Sequence, residues 1–447
     1  MVDDQYDLFV IGTGSGGSEA AQMCSKTGWK VGIADKLPFG GTCALRGCNP
    51  KKTLALATEV VHRFDSMKGK GIKGSVQLDW GELMRFKQSL VEPVPEMNER
   101  NLSSAGIDMY HGECRFVDRN TLAVEGKNIS ARRILIATGS RPAHFPFPGA
   151  EHMMISDDFL NLEALPRRIV FMGGGYISFE FAFIAARAGA QVAVLEAMER
   201  PLRNFDHQLV DMLLGISREI GIDVRLGTPV KSVEKREGVF SVHAGSQRFE
   251  TDLVVHGGGR VPNLDGLDLE AGGVEREKKG IAVNEFLQSV SNPAVYIAGD
   301  VNLYGIQLTP VAEMESRVVA GNMLDGNSFK PDYSVVPSIV FTTPSLASAG
   351  MREQEAQEKG LDFRVQFFDT SKKHITRRLG LKHSAFKVVS EKVTGRILGV
   401  HMLGHGVDEV INAFGLAIRT GMTIGQIKNM VWGFPTVMYD TVNRLSE

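Results

Sequence analysis

One ordered pattern of apolar runs and glycine-rich turns occurs twice in the chain, far apart. The first copy begins with the apolar run Asp7-Leu8-Phe9-Val10-Ile11 and continues into Gly12-Thr13-Gly14-Ser15-Gly16-Gly17. A helix-like stretch follows, then a second apolar run, Val31-Gly32-Ile33-Ala34, and Asp35. The second copy reads Arg168-Ile169-Val170-Phe171-Met172, then Gly173-Gly174-Gly175-Tyr176-Ile177-Ser178, a helix-like stretch through Ala188, the run Val192-Ala193-Val194-Leu195, and Glu196. A short unalternating apolar run bounded by turn residues predicts a buried strand, so each copy predicts strand, tight turn, helix and strand.

Both copies place glycine at the first and third turn positions, Gly12 and Gly14 in one and Gly173 and Gly175 in the other. Both also place an acid twenty-three positions after the first glycine. The first glycine permits the sharp turn into the helix, and the next lets backbone N–H groups approach a pyrophosphate at the helix N-terminus. The distant carboxylate, Asp35 or Glu196, accepts hydrogen bonds from a ribose. The third small position is Gly17 in one copy and Ser178 in the other. Glycine turns also occur merely to pack helix on strand, but two copies with strand, helix and acid in register predict two dinucleotide sites. The economical pairing is FAD with a diffusible nicotinamide dinucleotide, and hence hydride transfer between them.

Composition narrows the class further. At about 150 residues per domain, 447 residues predict about three domains, and 43% apolar with 23% charged residues is ordinary globular usage. Fifty basic against 52 acidic side chains leave a formal charge of −2, so no global positive field gathers nucleic acid or anionic lipid. Neither partner is expected. The start Met1-Val2-Asp3-Asp4 has no basic leader, and no uncharged run is long enough to span a bilayer. The expectation is a cytoplasmic protein acting on a small-molecule substrate.

Of the four cysteines, Cys24 and Cys114 stand alone, whereas Cys43 and Cys48 are separated by four residues in Gly40-Gly41-Thr42-Cys43-Ala44-Leu45-Arg46-Gly47-Cys48-Asn49-Pro50-Lys51-Lys52. A distorted helical turn could bring these two sulfurs within disulfide distance, and a thiolate near a helix N-terminus or an ammonium has a lowered pKa. A zinc site would need two further ligands in a pattern that the other cysteines do not provide, so no metal site is expected.

This cysteine segment resembles the redox motif of the FAD-dependent pyridine nucleotide-disulfide oxidoreductases, which include glutathione reductase, dihydrolipoamide dehydrogenase and mercuric reductase. The resemblance runs nearly the whole chain, through Ala137-Thr138-Gly139-Ser140-Arg141-Pro142, Gly173 to Glu180, Gly259-Arg260-Val261-Pro262-Asn263, Ala298-Gly299-Asp300, Leu308-Thr309-Pro310-Val311-Ala312 and Val340-Phe341-Thr342-Thr343-Pro344. It implies an α/β fold with two Rossmann-like dinucleotide-binding domains plus a C-terminal α+β dimerisation domain. The implied division is residues 1–147 and 263–332 around FAD, 148–262 around the nicotinamide nucleotide, and 333–447 as the interface domain of a homodimer with shared active sites.

Residue by residue, the resemblance implies that Cys48 lies against the flavin as the charge-transfer thiolate and that Cys43 attacks substrate. Lys52 would sit near flavin N5 and pair with Glu180. Tyr176 would cover the nicotinamide side of the ring until the dinucleotide displaces it, simple core packing being the alternative. Asp300 would bind the ribityl or pyrophosphate region, and Thr309 would lie in the segment passing the pyrimidine end. Lys36, Gly41, Thr42, Thr138, Gly139, Ile177, Gly259 and Arg260 complete the implied cofactor contacts.

The chain leaves the family pattern near its end. Disulfide reductases of this kind carry His-Pro-Thr followed by a glutamate, a pair that moves protons at the attacking thiol. Here Pro435-Thr436 sets the register, Phe434 takes the histidine's place and Tyr439 the glutamate's, with Asp440 next. Phenylalanine carries no proton, and general acid–base help is worth a factor of about 10²–10⁴. Tyr439, Asp440, His401 or His405 could substitute. Without such a substitute, acceptors needing little proton help are expected: activated disulfides, reactive sulfur or halogen oxidants, or quinones taking electrons directly from the flavin. Mercuric reductase also lacks the histidine but uses a C-terminal cysteine pair. This chain reads Asn443-Arg444-Leu445-Ser446-Glu447 there, so metal-ion reduction is a lesser expectation. Glu196 followed by Ala197 favours NADH, while Arg200 and Arg203 keep NADPH in view.

Overall fold

The computed structural model describes residues 2–446. The chain forms two compact units. One comprises residues 2–50, 86–143 and 260–333, and the other residues 51–85, 144–259 and 334–446.

The first unit is built on a seven-stranded sheet. Its strand Asp4–Ile11 lies between Val31–Asp35 on one side and Lys127–Ile136 on the other, parallel to both. That position is the topological switch point at which an open parallel sheet opens a crevice for a ligand. Parallel strands covered on both faces must be apolar throughout, and Leu8, Phe9 and Val10 are wholly buried. Each such side chain contributes about 1.5–3 kcal/mol by leaving water. The strand Lys127–Ile136 serves two neighbours along its length. Its first residues pair antiparallel with Thr121–Val124, and its last three pair parallel with Val295–Ile297. The core of this unit joins these strands to the helices Ser15–Lys26 and Thr309–Asp325.

The second unit repeats the arrangement with four parallel strands in the order Ile222–Arg225, Gln191–Leu195, Arg168–Met172 and Leu253–His256. Its central strand again leads into a glycine turn and a helix, Tyr176–Arg187, eight of whose residues are buried. A three-stranded antiparallel meander, Val230–Arg236, Val239–Ala244 and Gln247–Thr251, packs its apolar face beside that sheet. The same unit holds a five-stranded antiparallel sheet: Ser338–Val340, Ser345–Gly350, Ile397–Gly404, Ala385–Glu391 and Phe363–Asp369, in that order. The helix Val407–Arg419 covers it with Ile411, Phe414 and Ala417 buried. Two Rossmann-like sheets followed by an α+β part are the architecture that the sequence predicts. Among the described residues, no helix is long and apolar enough to cross a membrane.

Candidate active site

In the first unit the strand Asp4–Ile11 ends at Gly12, whose φ of +110° belongs to the region that side chains avoid; Gly173 repeats this at +100° in the second unit. Gly14 caps the helix Ser15–Lys26 without a side-chain hydrogen bond, which leaves the positive helix end open to an anion. Asp35 stands at the end of the next strand and is already fixed. Its Oδ2 accepts from the Thr13 N–H at 2.9 Å and the Thr13 hydroxyl at 2.8 Å, and its Oδ1 accepts from the Leu37 N–H at 3.0 Å. Gly41 approaches Gly14 so closely that a Cβ there would collide with the Gly14 Cα. The Thr138 hydroxyl beside this turn is buried and has no hydrogen-bond partner.

A buried donor without a partner, glycines that keep a cradle clear and a helix end open to phosphate all fit a bound dinucleotide such as FAD. Around them, the Asp300 carboxylate accepts from the Ser140 hydroxyl at 2.6 Å. Arg260 donates to the same Ser140, at 2.9 Å to its hydroxyl and 2.6 Å to its carbonyl, so its guanidinium braces this turn. Lys36 makes an exposed ion pair with Glu113 at 3.0 Å.

The two cysteines do not share one helical turn. Cys43 sits in the short helix Gly41–Arg46, the chain breaks at Gly47, and Cys48 opens the helix Cys48–Met67. Both are thiols, Cys43 half-buried and Cys48 exposed. The Cys43 thiol is pushed well above the ordinary thiol value by its hydrogen bond to Cys48, then by burial and by the charge of the Cys48 sulfur. Cys43 therefore holds its proton more tightly than an isolated cysteine does. The Thr309 hydroxyl lies 3.6 Å from the Cys48 sulfur. Thr309, expected only beside the cofactor, thus also touches the dithiol.

In the second unit Glu180 is wholly buried on the helix Tyr176–Arg187. Its Oε2 lies 2.7 Å from the Lys52 ammonium and 2.9 Å from that of Lys51, and its Oε1 accepts from the Phe341 N–H at 2.9 Å. Burial alone would raise this carboxyl, but the two ammonium ions outweigh it and hold the group below the usual carboxylate range. Sequence reasoning missed Lys51. Adjacent residues on a helix point about 100° apart, so only the placement of Glu180 reveals that both lysines reach it.

The second dinucleotide turn resembles the first. Gly175 caps its helix without a side chain, and Ile177 lies in the first helical turn. The Glu196 carboxylate accepts from the Gly174 N–H and, at 2.7 Å, from the Met198 N–H. Arg200 is held by Asp211 at 2.8 Å, and Gly259 follows the strand Leu253–His256 at φ +123°.

Glu315 is a second residue that the sequence reading missed. Fully buried on the helix Thr309–Asp325, it accepts from the Gly299 N–H at 2.6 Å, the Asn302 amide at 2.8 Å and the Tyr333 hydroxyl at 2.5 Å. It thereby fixes the turn that carries Asp300. Nothing in a lone Glu within a helical pattern signals this.

Near the C-terminus, Phe434 is 75% exposed and its ring meets that of Tyr439 edge-on at 4.9 Å. The Tyr439 backbone N–H donates to the capping hydroxyl of Thr436 at 3.2 Å. Of the other proton carriers, His401 is wholly buried, with Nδ1 2.7 Å from the Ser348 hydroxyl and Nε2 3.1 Å from the Met351 carbonyl. Burial holds it below the ordinary histidine value, so it is a structural residue. His405 abuts Arg63 at 2.7 Å and is likewise lowered, by burial and then by that guanidinium. Asp440 faces Arg444 at 3.9 Å.

The chain matches the pattern of the pyridine nucleotide-disulphide oxidoreductases over residues 6–316 and that of their dimerisation domain over residues 336–443. It is 34% identical to a glutathione reductase of Burkholderia cepacia over 442 residues, 98% of each chain. It is 33% identical to a mercuric reductase of Lysinibacillus sphaericus over 433 residues, 94% of this chain and 79% of that one. Among solved structures it is similar to the HOCl-induced flavoprotein disulfide reductase RclA from Escherichia coli, with a TM-score of 0.89, 27% identity, and coverage of 98% of this chain and 99% of that one. A Cu(II) complex of that reductase matches with the same TM-score and identity. The paired glycine turns, the close dithiol and these matches have one conclusion: the chain belongs to the pyridine nucleotide-disulphide oxidoreductase family, enzymes that use FAD and a pyridine nucleotide.

Proposed function

We propose that this enzyme uses a reduced nicotinamide nucleotide to keep Cys43 and Cys48 as a dithiol, and that the dithiol reduces a thiol-reactive acceptor needing no proton from the C-terminal segment. Bound FAD supplies the two-electron relay between nucleotide and dithiol. Gly12, Gly14, Gly17, Asp35, Gly41, Thr42, Thr138, Gly139 and Asp300 would hold it, within a division of the chain at residues 147, 262 and 332. Cys43 keeps its proton until the acceptor arrives. Its sulfur then bonds to the electrophilic atom, and the leaving group departs with the electron pair. Cys48 displaces the reduced product to form the Cys43–Cys48 disulfide, so the acceptor gains two electrons and the thiols lose two protons.

The observation that carries this reading is the contact of the Cys43 thiol with Cys48, in a chain that has Phe434 where the family resemblance implies a histidine. Oxidants whose leaving group is already a weak base, such as reactive halogen or sulfur species, suit such a site. The similar reductase from Escherichia coli is described as HOCl-induced. That reductase is also solved as a Cu(II) complex, which favours a second reading in which the acceptor is a metal ion taken by the thiolates as soft ligands.

NADH is favoured over NADPH. Glu196 is held where its charge repels a 2′-phosphate, and Arg200 is engaged by Asp211. A homodimer with shared sites is supported by the dimerisation-domain match and by Met430, Val431 and Phe434, exposed apolar residues within the matched segment. A reducing compartment such as the cytoplasm suits the thiols.

Replacing Cys43 by serine tests the thiol route. The variant should lose turnover of the physiological acceptor by about 10³-fold or more, with rapid reduction of the bound flavin by NADH retained. Unchanged turnover would instead assign the enzyme to quinone-type acceptors reduced without the thiols.

A further inference from the structure

Two segments of the second unit carry basic residues and no acid. Residues 370–384 contain Lys372, Lys373, Arg377, Arg378 and Lys382, and residues 66–78 contain Lys68, Lys70 and Lys73, in a chain whose net charge is −2. All eight residues are exposed, and among the described residues none of the eight forms an ion pair. Packing brings the two segments together. The Ser66 hydroxyl donates to the Leu379 carbonyl at 3.0 Å, the Lys70 ammonium donates to the Ser66 carbonyl at 2.5 Å, and a Cβ on Gly380 would lie 3.3 Å from that ammonium. The longer segment is also seated on the C-terminal stretch. Its buried Ile375 and Thr376 line a small cavity together with Val437 and Asp440 of the helix Val437–Val442, and the Arg378 guanidinium donates to the Pro435 carbonyl at 3.2 Å. The basic residues thus form a rim beside the exposed Phe434.

Charged residues on a surface loop are ordinarily a solvated face on which both signs are mixed. Here one sign prevails, and the acids that come near are engaged elsewhere. Asp369, on which Lys372 and His383 act, accepts from the Ser371 N–H at 2.8 Å and the Ser371 hydroxyl at 2.5 Å. Glu219 holds His383 at 2.8 Å, and Asp440 faces Arg444 at 3.9 Å. A rim of one sign raises the local concentration of ions of the other. We propose that this rim gathers an anionic acceptor for the dithiol, an oxidised sulfur anion of the polythionate class. The inference rests on the thiol route proposed above, in which the segment at Phe434 borders the acceptor's site. Such an anion needs no proton to react, because it releases thiosulfate, a weak base. With tetrathionate, the Cys43 sulfur bonds to an inner sulfur, the central S–S bond breaks, and one thiosulfate leaves with the electron pair. Cys48 then bonds to the Cys43 sulfur and displaces the second thiosulfate. Tetrathionate gains two electrons, the thiols become a disulfide, and their two protons go to water.

The test compares two acceptors on the FAD-loaded enzyme with NADH: tetrathionate, a dianion, and dithiodipyridine, a neutral disulfide that also has a weakly basic leaving group. In the native enzyme kcat/KM for tetrathionate should fall about five- to twentyfold between ionic strengths of about 0.02 M and 0.3 M, while that for dithiodipyridine changes by less than about twofold. Lys373→Gln combined with Arg377→Gln and Lys382→Gln leaves Arg378 to hold Pro435. This variant should lose about five- to twentyfold in kcat/KM for tetrathionate at low salt, chiefly through KM, and its salt dependence should flatten. Its dithiodipyridine turnover should stay within about twofold of native. Equal losses with both acceptors would mean that the loop only supports the fold and would overturn the proposal. So would a tetrathionate rate independent of salt in the native enzyme, a measurement that needs no variant. Cys43→Ser separates this inference from the reading beneath it. Dithiodipyridine turnover that requires Cys43, with no charge effect on tetrathionate, would sink the anion rim alone. Turnover of both acceptors without Cys43 would sink the thiol route and the rim's role with it.

Discussion

Phe434 is a residue whose effect is defined by what its side chain cannot do. It presents an exposed ring, in edge contact with Tyr439, where the family resemblance implies a proton-transfer pair. Phe434→His with Tyr439→Glu should therefore raise activity on ordinary disulfides by about tenfold or more, measured as kcat/KM with oxidised glutathione. No gain would mean that the pocket, not the proton, excludes such substrates. A second residue-level consequence concerns His62, which burial, with Arg187, Arg63 and His383 nearby, lowers from 6.5 to about 4. The unfolded chain binds this proton below pH 6.5 and the folded chain does not. Stability should thus fall as pH drops from 6.5 to about 4, with no further contribution from His62 below that. His62→Gln should flatten this limb of a plot of Tm against pH, and an unaltered limb would remove His62 from the account.

Much at this scale was legible. Cys43, Cys48, Glu196 and the turn glycines stand out by their spacing in local motifs, and Glu180 by the family resemblance. Lys51 and Glu315 do not, because their partners come from other elements. A lysine beside a lysine, or a glutamate on a helix, has no local signature of the carboxylate or N–H group that tertiary packing brings to it.

At the scale of elements, the strand–turn–helix unit is the working part. Its strand is apolar because it is covered on both faces, its glycine turn clears space for phosphates, and its second strand delivers an acid back to the turn. In the second unit that acid, Glu196, is tied to the Gly174 and Met198 N–H groups, which fixes its carboxylate at the turn. Steady-state kcat/KM should accordingly be higher with NADH than with NADPH. Replacing Glu196 by serine together with Ala197→Arg should shift the ratio toward NADPH by about ten- to hundredfold, the worth of one or two hydrogen bonds to charged groups. A ratio that does not move would place the discrimination elsewhere in the turn. The redox segment shows the limit of element-level reading. From the sequence a distorted helical turn could bring the two sulfurs together, whereas the segment forms two helices separated at Gly47. A side chain there would strike the Thr42 carbonyl, with a Cβ only 2.8 Å from that oxygen. Helix propensity does not register such a break, because the steric cause lies in how two helix ends meet.

For the whole molecule, assembly is the open consequence. Met430 is 51% exposed, Val431 fully so and Phe434 75%, an apolar stretch on the part of the chain matched to the dimerisation domain. Solvated apolar residues of this density mark a surface that another chain covers. Light scattering should give twice the 48.8 kDa chain mass. Val431→Asp should shift the population toward monomer and lower turnover in proportion, and a monomeric native protein with full turnover would contradict shared active sites.

The chain by itself determined the two strand–turn–helix units, the class of reaction and the cysteine pair. All of these are encoded in contiguous residues, whose spacing translates directly into turns and strand ends. Only the tertiary structure decided that the Cys43 thiol meets Cys48 beside Thr309 and is raised by it, that Glu180 faces both Lys51 and Lys52, that Arg200 is tied to Asp211, and that His401 is a core histidine. Each of those outcomes depends on the distance between residues remote in sequence, or on the water excluded around them, and charge and proton affinity respond to both.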